Sequence, residues 1–189
     1  RLTSHPGPFN VLTSPHEHVV ENCIKDLSIH GEVFDMMGLS RTPYNKINIH
    51  IGGAYGDKVS AMERFCTNFH RLPNSVKSRL TVENDDKATM YSVKDLYEGV
   101  YCKIGIPIVF DYHHHRFCTG GLSEEDALEV AISTWGDVVP VVHYSESRNI
   151  EQEDDKIRPQ AHSDYVYDYI DTYGNRVDIM VEAKAKELA

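Results

Sequence analysis

The chain has 189 residues, of which 41% are hydrophobic and 25% charged, an ordinary balance for a soluble domain with one sizeable core. A formal charge of −10 argues against a globally basic nucleic-acid binder, although bound divalent cations would reverse the local field around a carboxylate cluster. No apolar run reaches the roughly 18 residues of a membrane helix, no leader-like segment opens the chain, and Cys23, Cys66, Cys102 and Cys118 are spaced as small buried hydrophobes rather than as C-x-x-C pairs.

In chain order, "RLTSHPG" is a strand candidate ending at His5, and a long helical pattern follows from His16 to Met37, with a break expected at Gly31. "KINIHIGG" reads as a buried strand carrying His50. After "GGAYGDK", Val59, Met62, Phe65, Cys66 and Phe69 recur at helical spacing. "RLTVEND" is the next strand and ends at Glu83. Ser92 with Asp95 is a capping-box start, and Gly105 stands where a helix would stop. Pro107 opens the strand "PIVFDYH", which reaches Asp111 and runs into three consecutive histidines, His113 to His115. Ser123 with Asp126 starts a second capped helix, whose apolar stripe is Leu128, Ala131, Ile132 and Trp135. Pro140 opens "VPVVHYS", with His143 at its end. A polar loop from Ser145 to Gln160 precedes "AHSDYVYDYIDTY", read as a helix with Tyr165, Tyr169 and Tyr173 packed along one stripe. "VDIMVEAK" closes the series at Glu182.

Near-continuous Val/Ile runs alternating with helices imply βα units and a parallel sheet. About six strands are countable, whereas a closed (β/α)₈ barrel has eight. The sheet is therefore open, or the chain is a barrel lacking its first two βα units. No G-x-G-x-x-G or P-loop follows a strand, so no nucleotide cofactor is expected.

The distribution of ligand-type residues carries the functional information. His5, His50, Glu83, Asp111, His143 and Glu182 all fall at or near the C-terminal edge of an apolar run. That edge is where parallel α/β folds build their sites. Carboxylates crowded there raise each other's pKa unless cations neutralise them. Imidazole with carboxylate and no thiolate suits a catalytic Zn²⁺ or Mn²⁺ centre rather than a structural one. Two or three such ions can bridge a phosphate, activate water and stabilise a leaving oxygen. His16, His18, His30 and His70 lie in or beside helices and read as surface residues.

Taken in order, "SHPG", "NIHIGG", "LTVENDD", "DYHHH", "VHYSES", "AHSDY" and "VEAK" closely resemble the UV-damage endonucleases over essentially the whole chain. The resemblance implies a TIM (β/α)₈ barrel of the xylose isomerase-like superfamily, related to endonuclease IV. It also implies DNA repair by hydrolysis of the phosphodiester immediately 5′ of cyclobutane dimers and 6-4 photoproducts, with a cluster of two or three divalent metals, Mn²⁺ foremost and Zn²⁺ or Mg²⁺ as alternatives. By that resemblance His5 and His50 look like ligands of one metal, and Glu83 looks like its bridge to a second. Asp111, His143 and Glu182 resemble the remaining ligands of the second, and His114 and His162 those of a third. Glu83, Asp111 and Glu182 would be the catalytic carboxylates, while His113 and His115 would support the site or face DNA. Pro8, Phe9, Tyr55, Lys58, Arg116, Arg148 and Lys184 are the candidate DNA contacts.

The family's barrel has two further strands before this chain begins. Residues 1–189 are accordingly expected to be one catalytic domain, the C-terminal three quarters or so of an N-terminally truncated barrel. Pro8-Phe9 replaces a Gln-Tyr wedge, so Phe9 can stack but Pro8 offers no side-chain hydrogen bond. Val141 stands where some bacterial members carry a modified lysine, which excludes a carboxylated lysine there. The expected partner is damaged double-stranded DNA, met by a monomer without a membrane anchor in an intracellular, DNA-containing compartment. An endonuclease IV-type abasic-site enzyme, a sugar isomerase on the same barrel and an inactive remnant are the competing readings.

Overall fold

The computed structural model describes residues 1–189. Five parallel strands follow one another in sequence and in space: β1 (Ile47–Ile49), β2 (Leu80–Glu83), β3 (Ile108–Asp111), β4 (Val141–Tyr144) and β5 (Asp178–Val181). The expected sixth strand is reduced to a single parallel bridge, Ser4 to Ile47, beside β1. Helices α1 (Glu17–Met36), α2 (Lys58–Phe69), α3 (Asn74–Lys77), α4 (Val93–Leu96), α5 (Cys102–Ile104), α6 (Tyr112–His115), α7 (Glu124–Ser133) and α8 (Arg148–Glu151) occupy the connections. A π-helical turn, Tyr97–Tyr101, joins α4 to α5.

The sheet is curled like the wall of a barrel. In a flat sheet with strands about 4.8 Å apart, the segment beside β1 and the strand β5 would lie more than ~20 Å from each other. Here Arg1 Nη1 reaches Asp178 Oδ2 at 2.6 Å and Val139 O at 2.8 Å, while its Nε donates to Tyr44 O at 2.9 Å. At the opposite rim the rings of His5 and His143 are 6.0 Å apart. The curl gathers strand ends that are distant in sequence.

Every residue of β1 to β4 is buried, as strands covered on both faces require. β5, the last strand of the sheet, departs from this pattern, with Ile179 and Val181 exposed. The helices bury one stripe each. α1 uses Val20, Cys23, Leu27, Gly31 and Phe34; α2 uses Ala61, Met62, Phe65, Cys66 and Phe69. The Ser92–Asp95 capping box forms, Ser123 accepts from Asp126 N, and Gly105 stops α5 at φ +69°.

α1 runs unbroken through Gly31, contrary to the expected break. Gly31 is there for close approach: a Cβ at this position would lie 2.8 Å from Ser75 Oγ and 2.9 Å from Val76 Cγ2 on α3. Fully buried Arg79 secures the same corner, donating to the carbonyls of Ser75, Leu39 and Ser40 and pairing with Asp35 at 2.8 Å. These bonds satisfy carbonyls on α3 and in the loop that follows α1.

The tyrosine-rich segment is not a helix. Its backbone N–H groups are claimed by two carboxylates of the preceding segment: Glu151, at the end of α8, accepts from Asp164 and Tyr165, and Glu146 accepts from Tyr167 and Asp168. Tyr165, Tyr167 and Tyr169 are consequently exposed, and of the expected stripe only Tyr173 packs against the core. Cys102 is also exposed, whereas the other three cysteines are buried. No helix is long and apolar enough to cross a membrane.

Gly31→Ala should lower stability by up to about 2 kcal/mol in urea unfolding. Overpacking against α3 outweighs alanine's advantage of about 1 kcal/mol within a helix.

Candidate metal centre

At the C-terminal rim of the strands a cleft of about 840 Å³ is lined by His5, His50, Glu83, His114, His162 and Glu182, with Lys87 and Lys184 at its wall. Glu83, at the end of β2, is the hub and is fully buried. Its Oε2 lies 3.2 Å from His5 Nε2 and 3.2 Å from His143 Nδ1. Its Oε1 lies 3.3 Å from His114 Nδ1 and 3.8 Å from His50 Nε2. Asn48 Nδ2 donates to Oε2, and Asn48 is itself held by Thr81 Oγ1 at 2.8 Å.

Three overlapping groups have donor atoms within 4.8 Å of one another: His5, His50 and Glu83; His5, His143 and Glu182; and Glu83, Asp111, His143 and Glu182. Six of the eight expected ligands thus fall into groups able to hold an ion. His114 and His162 stand beside these groups, facing each other with ring centroids 5.6 Å apart. Their Nδ1 atoms pair with backbone carbonyls, His114 with Asn84 O at 2.9 Å and His162 with Glu182 O at 3.2 Å, which leaves Nε2 unengaged.

Charge balance explains why a cation suits this arrangement. Burial alone would raise the Glu83 carboxyl, yet His143, His50 and His114 hold it well below the ordinary carboxylate range. Burial pushes Asp111 up to about 6. Burial would lower His143 and His114, but their carboxylate neighbours pull both up to about 10. In protein atoms alone, imidazolium protons supply the positive charge that the carboxylates demand. Divalent ions would supply the same charge and release those protons. Glu83 Oε1, Asp111 Oδ2 and both ring nitrogens of His143 are buried without an aligned hydrogen-bond partner, even though His143 Nδ1 lies 2.9 Å from Glu182 Oε1. Acceptors left in this state cost about 1–3 kcal/mol each, so the donor set fits a cation.

The three consecutive histidines divide into different roles. Asp111 caps α6, accepting from His114 N through Oδ1 at 2.7 Å and leaving Oδ2 toward the centre. The single turn of α6 points His114 at Glu83 and turns its neighbours away. His113 and His115 are buried and so cannot face DNA, which corrects half of the sequence expectation. His113 packs against His162 and Phe117 at 5.3 Å and 5.2 Å, and burial lowers it to about 4; His115 packs against Phe110 at 5.3 Å.

The candidate DNA contacts are scattered around the rim. Phe9 is 88% exposed next to Pro8, which lines the cleft with Lys184. Tyr55 is half-exposed at φ +51°, under the guanidinium of Arg64. Arg116 is exposed just beyond α6. Lys58 is committed to Asp95 at 3.0 Å, and Arg148 lies 3.7 Å from Asp164. Sequence reasoning missed Asn48, Asn84, Asp85 and Lys87. Asn48 was recoverable, because it sits two residues before His50 on a strand and therefore shares its face. Asn84 bridges β2 to β3, donating to Asp111 O and accepting from Asp111 N at 3.0 and 2.9 Å.

The chain matches the family UV-endonuclease UvdE over residues 1–189. It is 38% identical over 201 residues to the UV DNA damage endonuclease of Bacillus mycoides (strain KBAB4) and 37% identical to that of Bacillus cereus (strain Q1). Each alignment takes in 100% of this chain and 59% of the relative, so the chain spans under two thirds of the length of these curated proteins. The crystal structure of SacUVDE superposes with a TM-score of 0.85 at 35% identity, covering 100% of this chain and 62% of that one. D-psicose 3-epimerase from Clostridium cellulolyticum H10 superposes at 0.57 with 14% identity over 76% of this chain and 51% of its own, a likeness of fold. Motif order, curled parallel sheet and rim of histidines and carboxylates agree with these matches: the chain belongs to the UV-endonuclease UvdE family.

Proposed function

We propose that residues 1–189 are a catalytic domain of a DNA repair endonuclease that hydrolyses the phosphodiester immediately 5′ of ultraviolet photoproducts, using two or three divalent cations, Mn²⁺ foremost. The observation that carries this reading is the fully buried Glu83 carboxylate, ringed by four imidazoles and joined to two more carboxylates at the strand rim. The names of the relatives, UV DNA damage endonucleases, support the substrate.

In this reading His5, His50 and Glu83 hold one cation. Glu83, Asp111, His143 and Glu182 hold a second, and His114 with His162 a third. Bound there, divalent ions supply Lewis acidity toward the phosphate oxygens and a lowered pKa for water. The protein's own part is to place and orient. Asn48 fixes the Glu83 carboxylate, and Asp111 is steadied by its cap on α6. Lys184 and Lys87 line the cleft wall and are the cations placed to meet phosphate oxygens of a bound duplex. Exposed Phe9 offers a ring for a base unstacked by damage, and a kinked duplex pays less to present one. The protein would act as a monomer in a DNA-containing compartment and use no nucleotide cofactor.

The primary test is incision of a defined photodimer duplex by the full-length protein, with the product ends mapped against an abasic duplex. A chelator should abolish cutting and Mn²⁺ restore it. Glu83→Gln should cut at least about a hundredfold more slowly while still binding the duplex; undiminished cutting by this variant sinks the assignment. Phe9→Ala should leave the unfolding midpoint unchanged and weaken photodimer binding by about 1–3 kcal/mol, the worth of one stacked base, as read by a fluorescence anisotropy titration.

A further inference from the structure

A histidine ligand presents one ring nitrogen to its cation, and the partner of the other nitrogen decides which one that is. Around this centre His5, His114 and His162 turn Nδ1 to main-chain carbonyls, those of Pro6, Asn84 and Glu182. His50 is different. Its Nε2 faces Glu83 at 3.8 Å, and its Nδ1 lies 3.0 Å from Oδ1 of Asp85, a side chain. That nitrogen is buried and has no aligned hydrogen-bond partner, and Asp85 Oδ1, 3.0 Å away, is the acceptor within reach.

Asp85 is itself held firmly. It is 8% exposed, its Oδ2 accepts from Tyr91 N at 3.2 Å, and its own N–H donates to Tyr91 O at 2.9 Å. Tyr91 is fully buried and donates its hydroxyl to Gly53 O at 3.2 Å, three residues beyond His50. A closed circuit therefore runs from His50 through Asp85 and Tyr91 back to the loop that carries His50. A surface carboxylate would have no such restraint.

We propose that Asp85 is a positioning residue for the cation site: it keeps the proton on His50 Nδ1 and so commits Nε2 to the ion shared with Glu83. The proposal rests on the cation-binding reading of the cluster but not on the identity of the DNA substrate. Because Asp85 is a charged side chain where His5, His114 and His162 use main chain, this orienting contact can be removed by substitution.

The test uses the full-length protein, with Mn²⁺ alone as the probe, followed by isothermal titration and by the electron paramagnetic resonance of free Mn²⁺. Asp85→Ala should weaken one Mn²⁺ site about 10- to 100-fold without lowering the number of ions bound at saturation. Asp85→Asn keeps an acceptor without the charge and should recover part of that loss. In the Zn²⁺-loaded wild type, ¹⁵N NMR should show His50 protonated at Nδ1, and Asp85→Ala should disturb that signal. Mn²⁺ affinity within twofold of wild type in both variants, with a lowered urea midpoint, would reduce Asp85 to a loop fastener and overturn the proposal. So would outright loss of one ion in both variants, which would make Asp85 a ligand, or a His50 ring protonated at Nε2. A wild type that binds neither Mn²⁺ nor Zn²⁺ overturns it together with the cation reading. A wild type that binds Mn²⁺ yet leaves photodimer duplex intact removes the proposed substrate and not this inference.

Discussion

The burial of one carboxylate, Glu83, is the constraint on which the rest of the molecule turns. An ionised carboxylate taken out of water costs several kcal/mol unless charge and hydrogen bonds replace the solvent. Glu83 has no solvent exposure and meets His5, His50, His114 and His143 within 3.8 Å. Those four come from four different segments, so the cost is met only when all of them have assembled. Asn48 and Thr81 extend the polar layer along the inner face of β1 and β2, in the register that pairs Asn48 with Thr81.

The architecture makes that assembly possible. Parallel strands end on one side, which collects their terminal residues on a common rim. Curling then shortens the distances between non-adjacent strands, so that His5 beside β1 and His143 on β4 come within 6.0 Å. Arg1, bonded to Val139, Asp178 and Tyr44 at the other rim, ties the two sides of the curl. Local devices aim individual groups. Asp111 spends one oxygen on the start of α6 and keeps the other for the centre, and Asn84 holds β2 and β3 level with each other just below it.

Much of this was legible along the chain because the signals are local. Val/Ile runs ending in His, Asp or Glu announce a ligand-bearing strand edge, and Ser92, Ser123 and Gly105 announce helix boundaries through their own backbone chemistry. The misses share a cause, which is that a distant partner overrode the local signal. Gly31 reads as a helix breaker until Ser75 and Val76 are seen pressed against it. The tyrosine segment reads as a helix until Glu146 and Glu151 claim its N–H groups. Asp85 reads as one acid among several after Glu83 until His50 and Tyr91 are found on either side of it.

By itself the sequence determined the class of fold, the edge at which ligand-type residues collect and the family to which their order belongs, because periodicity and motif spacing are properties of neighbouring residues. Only the tertiary structure decided which nitrogen of each histidine faces the carboxylates and which of the three consecutive histidines points inward. Those outcomes depend on distances of 3 to 4 Å between segments tens of residues apart, set by the curl of the sheet and by the requirement that Glu83, once buried, be neutralised from every side.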